Sequence, residues 1–242
     1  MKTFLFLISL LLAFPSAAFS DDQKNGVVED FRDDGSLKLR MTYAQGVLDG
    51  PYEVFDEREK LAEKGLYMGG KLAGAAQKYY GDGTLKEEVR FEDGKPMGLL
   101  RRYYESGSPH AEIAYLDGVR EGPYRYFYPA GAIYEEGTFV SDALEGMSKK
   151  YYETGELQEE AYFTDGNILW SKSYYATGEL QGQWTYKNNR FHGANKLFFR
   201  SGKVQAEVNY TDGEMDGEAR TFDEDGNVVH LELYRNGKPA KE

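Results

Sequence analysis

Cysteine is absent from the 242-residue chain, which excludes a disulfide framework, a thiolate nucleophile and any cysteine-ligated metal. Histidine is scarce: His110, His192 and His230 are the only three. Their spacing holds no metalloprotease-type pair and offers no histidine metal site. Positive charge is in deficit, 29 Lys and Arg against 41 Asp and Glu, for a formal net charge of −12. Such a polyanion gains nothing from counterion release on nucleic acid and is repelled by anionic lipid. No nucleophile elbow or phosphate-binding loop occurs.

Apolar runs are confined to one stretch, Phe4 to Phe14, which follows Lys2 and is broken by Pro15. Ala18-Phe19-Ser20 then offers small residues at the −3 and −1 positions of a cleavage site. At about 11 residues the run is too short to cross a membrane as a helix. Residues 1–20 therefore predict a signal peptide. The mature chain is expected to start at Asp21, to carry no transmembrane segment, and to be periplasmic or secreted.

What the chain has in plenty is glycine and flat aromatic side chains: 28 Gly, 20 Tyr and 14 Phe. They recur on a ~24-residue period. One aromatic row runs Tyr43, Tyr67, Phe91, Tyr115, Phe139, Phe163, Tyr186, Tyr210 and Tyr234. A second runs Phe55, Tyr79, Tyr103, Phe127, Tyr151, Tyr174, Phe198 and Phe222. Glycine keeps three further phases, seen at Gly107, Gly118 and Gly122 and at their equivalents. In the row of Gly118 the substitutes are Asp142 and Asn189, the residue types that best tolerate positive φ. That row reads as a demand for left-handed backbone.

Between glycines the side chains alternate, as in Leu85, Glu87, Val89 and Phe91 against Lys86, Glu88 and Arg90. Period two marks a half-buried strand. Each unit is thus a hairpin pairing with the next. The expected fold is all-β, an elongated single-sheet antiparallel meander. About 17 strands at about 4.8 Å each would extend it on the order of 80 Å. Residues 21–29 read as a short extension, and 30–242 as one array of roughly nine units.

Units such as Tyr103-Tyr104-Glu105-Ser106-Gly107, followed by Tyr115-Leu116-Asp117-Gly118-Val119-Arg120-Glu121-Gly122, resemble the bacterial MORN-repeat variant. Bacterial chains built of this unit are commonly labelled YwqK-type antitoxins of toxin–antitoxin systems. The resemblance implies a non-enzymatic scaffold that binds another protein, a toxin in the antitoxin form of the family. Eukaryotic MORN arrays associate with membranes, but the acidic charge disfavours lipid here. Two places depart from the pattern. Glu59 stands in for a turn glycine, and Asp165 to Lys172 loses one residue and a glycine, predicting an altered hairpin.

Recurrent Asp-Gly pairs suit calcium by charge, yet no D-x-D-x-D run gathers several ligands, and Asp-Gly is ordinary hairpin-turn chemistry. Glu87-Glu88, Glu135-Glu136 and Glu159-Glu160 cannot serve as glycosidase pairs, because adjacent strand residues point to opposite faces. No enzyme activity, metal or cofactor is expected. The candidate partner-binding residues are the extra tyrosine ladder, Tyr80, Tyr104, Tyr128, Tyr152 and Tyr175, together with Trp170. Exposed tyrosines give contact area at low entropic cost, to a protein or, alternatively, to an envelope glycan.

Overall fold

The computed structural model describes residues 24–240, so the expected signal peptide lies outside them. The described residues form 21 strands and no helix. Successive leading and return strands pair antiparallel, giving one open meander in which two return strands are each broken in two, Ala143–Leu144 with Gly146–Tyr151 and Arg190–Phe191 with Gly193–Phe198. A unit consists of a leading strand, such as Pro109–Leu116, and a return strand, such as Val119–Phe127. The expected all-β array is what forms. At its N-terminal end it begins earlier than expected: Gly26–Phe31 is already a strand, paired with Leu37–Ala44.

The three glycine rows have three separate causes. At the tip between leading and return strand, Asp117 and Gly118 have φ of 50° and 93°. Positive φ at both central residues makes a type I′ turn, whose twist matches the flanking strands. Asp142 and Asn189 keep the same conformation, at φ 67° and 61°. At the opposite tip, Gly107 donates its N–H to the Tyr104 carbonyl while Tyr104 donates to the Ser108 carbonyl. Glu59 holds that conformation at φ 58° and still donates to Asp56; its carboxylate also accepts the Leu37 N–H at 2.8 Å. The turn at Glu59 therefore keeps the form of its equivalents in the other units.

The third row sits inside the return strand. Between the pairs Ile113↔Tyr124 and Tyr115↔Arg120 the return strand carries extra residues, and Gly122 occupies this bulge at φ 107°. In the irregular unit Tyr162↔Trp170 is followed directly by Phe163↔Ile168. One residue fewer leaves a smaller bulge with no left-handed position, and Asn167–Tyr174 runs as one strand. The altered hairpin is thus a shortened bulge, with Ile168 packed into the core.

These turns yield a test. A Cβ at Gly118 would meet Lys95 only at ordinary contact distance, 3.5 Å. Space is therefore available, and the strain lies in φ. Gly118→Asn is expected to be nearly silent in urea melts, and Gly118→Val to cost about 1–3 kcal/mol.

The core is a thin line on one face, called inner below. Its centre is a cluster of Ala76, Val89, Phe91, Leu100, Ile113, Tyr115, Tyr124 and Phe139. Rung by rung it reads Ala76↔Val89, Leu100↔Ile113 and Tyr124↔Gly137. A large residue faces a small one wherever the sum would overfill: a Cβ on Gly137 would lie 2.8 Å from the Tyr124 ring, and one on Gly65 2.6 Å from Tyr52. Beside this line runs a half-buried charged row. Glu87 accepts from Arg102 at 2.6 Å, and Tyr124 donates its hydroxyl to Glu135 at 2.9 Å.

Candidate binding surfaces

The adjacent glutamates separate as alternation requires: Glu87 faces inward to Arg102, and Glu88 outward to Arg101. No acid pair is assembled from them. On the outer face the cross-strand partners form a continuous ladder. It passes from Glu29 through Arg40, Glu53, Lys64, Gln77, Glu88, Arg101, Glu112, Arg125 and Glu136 to Lys149 and Glu160. Opposite charges alternate, interrupted only by the neutral Gln77. Contacts along it include Arg40 to Glu53 at 2.7 Å, Arg101 to Glu112 at 3.5 Å and Lys172 to Glu160 at 3.3 Å. Each such exposed cross-strand pair is worth about 0.2–1 kcal/mol, so the ladder sets register more than stability.

This face is self-neutralising, and the turn aspartates line the sheet's two long edges. Asp34, Asp82 and Asp223 spend carboxylate oxygens on the turns themselves, accepting from the backbone N–H of Ser36, Thr84 and Asn227. Hydrogen bonds from Ser36, Thr84 and Asn227 in turn hold these carboxyls below the usual range. Among the described residues no three His, Asp or Glu converge on a metal-sized site. An apolar cavity of about 110 Å³ lies between Trp184, Phe191, Leu197 and Tyr210. It is well below the roughly 300–1,000 Å³ that drug-sized ligands occupy.

The tyrosine ladder has an internal use. Tyr80 donates its hydroxyl to the Tyr103 carbonyl at 2.7 Å, Tyr104 to Phe127 at 2.6 Å and Tyr128 to Tyr151 at 2.9 Å. Tyr152 donates to Tyr174 and Tyr175 to Phe198 in the same way. Arg32 takes this role in the first unit, donating to the Phe55 carbonyl. All five tyrosines are half-buried, and His110 packs on the Tyr104 ring at 4.5 Å. The row is a clamp joining one turn to the next, with its polar ends occupied.

Trp170 stands elsewhere. It lies on the outer face, its ring parallel to that of Tyr162 at 6.2 Å and 9°. The Lys172 ammonium sits 5.1 Å above it. Tyr162 and the neighbouring Leu169 are 36% and 43% exposed. At the position of Tyr162 other units carry Thr42, Leu66, Arg90, Ala114, Thr138, Thr185, Asn209 and Leu233, and no other aromatic residue. The shortened bulge brings Trp170 directly opposite Tyr162, and so builds an aromatic patch on a charged face. The sequence singled out Trp170 and the irregular unit. Tyr162 was missed, since its place opposite Trp170 depends on the bulge register.

The family described as MORN repeat variant matches residues 72–93, 120–141, 144–165, 171–188, 191–212 and 215–236, together more than half of the chain. The chain belongs to this family. In this MORN array the paired aromatics of a unit divide their work: Tyr104 clamps the edge, while Tyr103 donates to Glu88 on the outer face at 3.2 Å. The equivalents Tyr151 and Tyr174 donate to Glu136 and Glu160, and burial plus these bonds push both hydroxyls up to about 12.

No curated protein matches the chain. Among solved structures, a point mutant of S. aureus TarM, in complex with fondaparinux, alpha-GlcNAc-glycerol and UDP, aligns over 39% of this chain and 19% of its own. The identity is 13% and the TM-score 0.28. A second TarM structure aligns over 41% and 20%, at 17% identity and a TM-score of 0.27. The TcdB2–TccC3–Cdc42 structure aligns over 88% and 14%, at 12% identity and a TM-score of 0.21. The chain thus spans a fifth or less of each, and at these scores none bears on function.

Proposed function

We propose that this MORN array is an exported, non-enzymatic scaffold that captures a partner protein on its outer face, with Trp170 and Tyr162 as the anchor. The observation that carries this reading is the stacked, part-exposed Tyr162–Trp170 pair, set beside the Lys172–Glu160 ion pair of the charged ladder. Protein interfaces concentrate binding energy in such Trp and Tyr anchors surrounded by polar residues. The family supplies the scaffold. An open sheet face of alternating charge around an aromatic pair suits a protein better than a small molecule. Antitoxin- or immunity-like capture of a toxin is the specific form of this reading, and export follows from the residue pattern at 1–20.

The test is affinity capture from the periplasm and medium of the producing cells. The wild-type chain is compared with Trp170→Ala and Tyr162→Ala. Each truncation is expected to weaken capture of the same partner by about 2 kcal/mol or more, as hot-spot truncations do. Thermal melts check that both variants remain folded. Capture unchanged in both would overturn the anchor. Mass spectrometry of the recovered protein is expected to find the N-terminus at or near Asp21, and Met1 on the soluble protein would refute export.

A further inference from the structure

We propose that copies of this chain dock head to tail, the last leading strand of one against the first return strand of the next, continuing the meander from molecule to molecule. Three observations meet here, all independent of the aromatic patch.

The first is which half-units lie at the ends. The strand Gly26–Phe31 pairs with Leu37–Ala44 in the register that Gly50–Phe55 keeps with the next leading strand. It is therefore the second half of a return strand. Among the described residues no strand pairs with its other edge. At the far end Val228–Arg235 is a leading strand, met on its free side, among the described residues, by Lys238–Pro239 at Tyr234 and Arg235 and by the Ala240 N–H at the Leu233 carbonyl. Lys238 and Pro239 are the first half of a return strand, equivalent to Val47 and Leu48. Among the described residues no strand lies on that side of Val228–Glu232, and the N-terminal strand has the form of the segment that fills this place in other units.

The second observation is charge. Within the chain, Leu39↔Val54, Arg40↔Glu53 and Met41↔Tyr52 define how a leading strand meets its return strand. The same register at the junction sets His230 opposite Asp30, Leu231 opposite Glu29 and Glu232 opposite Val28 of the next copy. The outer ladder then reads Glu207, Arg220, Leu231, Glu29, Arg40, in sign − + 0 − +. The run Glu53, Lys64, Gln77, Glu88, Arg101 inside the chain has the same signs in the same order. Leu231 is neutral where a charge of either sign would face a like charge, in cis at Arg220 or in trans at Glu29.

The third is apolar exposure at the two ends. Outward positions that are Gln205, Glu207 and Asn209 in the preceding unit become Val229, Leu231 and Leu233, which are 62%, 56% and 44% exposed. On the N-terminal strand Val27 and Phe31 are 60% and 52% exposed. The docked register brings Leu233 beside Val27 and Val229 toward Phe31. Open edges are normally blunted by charge or proline, and these two expose large apolar side chains among their charges.

Such a contact is heterologous, so it propagates rather than closing at two. For the whole purified protein, mass photometry and sedimentation are expected to show species larger than one chain whose size grows with concentration. Leu231→Glu places like charge opposite Glu29 while sitting well beside Arg220 in cis. Val27→Lys spoils the other surface. Each variant alone is expected to remain a folded single chain. An equimolar mixture retains one intact junction and should give two-chain species and nothing larger. A wild-type chain that stays single at every concentration would overturn the proposal. So would a two-chain species abolished by Leu231→Glu and indifferent to Val27→Lys, which would mean tail-to-tail pairing.

Discussion

Replacing Tyr124 by alanine is expected to lower stability by about 3–5 kcal/mol, the range for removing a large buried aromatic side chain. Tyr124 is 2% exposed, and its ring lies 4.7 Å from that of Phe139. It also covers Gly137, where no side chain would fill the space left behind. Its hydroxyl donates to Glu135 and meets the Ser148 hydroxyl at 3.0 Å, so truncation orphans buried polar groups as well. Tyr124→Phe keeps the ring and loses only the hydroxyl, for an expected cost of about 1–2 kcal/mol. Urea melts with an unchanged denaturant slope measure both. Equal losses would mean that the hydroxyl network, rather than the ring, holds this part of the sheet.

The position of Tyr124 also shows where the sequence stops being legible. The aromatic and glycine rows recur in residue type because each answers one fixed demand, such as a left-handed turn, a bulge or a stacked ring. The most buried row instead runs Tyr52, Ala76, Leu100, Tyr124, Ser148, Ser171 and Asn195. Neither residue type nor size is kept there, since the rungs range from Ser148 facing Ala161 to Leu100 facing Ile113, so no ruler passes through it. A faint signal exists in Gly65 and Gly137, which stand outside the three glycine phases and lack positive φ. A glycine that no turn requires marks a close approach from a large neighbour.

The tyrosine ladder was legible as a row but not as a clamp, because its acceptors are backbone carbonyls one unit away and leave no trace in side-chain type. The N-terminal strand was legible in principle. Gly26 and Phe31 lie one period before Gly50 and Phe55, so the rulers extend to them. The aromatic patch was half visible: deletion of a residue marked the unit, while the pairing of Tyr162 with Trp170 follows from how the bulge contracts.

If the ring of Tyr124 fills the space left open over Gly137, that rung can be rewritten. Gly137→Ile alone is expected to cost about 2–3 kcal/mol, since even a Cβ there lies 2.8 Å from Tyr124 Cε1 and 2.9 Å from its hydroxyl. Tyr124→Leu alone removes volume and the hydroxyl together, and should also destabilise. The double variant reproduces Leu100 facing Ile113, which one unit earlier are 1% and 4% exposed. It is expected to be at least about 1 kcal/mol more stable than the sum of the two single losses predicts, within the range of coupled neighbours. Recovery stays incomplete because Glu135 and Ser148 remain without the tyrosine hydroxyl, at about 1–3 kcal/mol. A double-mutant cycle in urea decides the matter. Strict additivity would mean that the ring of Tyr124 and the bare backbone of Gly137 do not share one space, and that the large-against-small pattern along the core line has another cause.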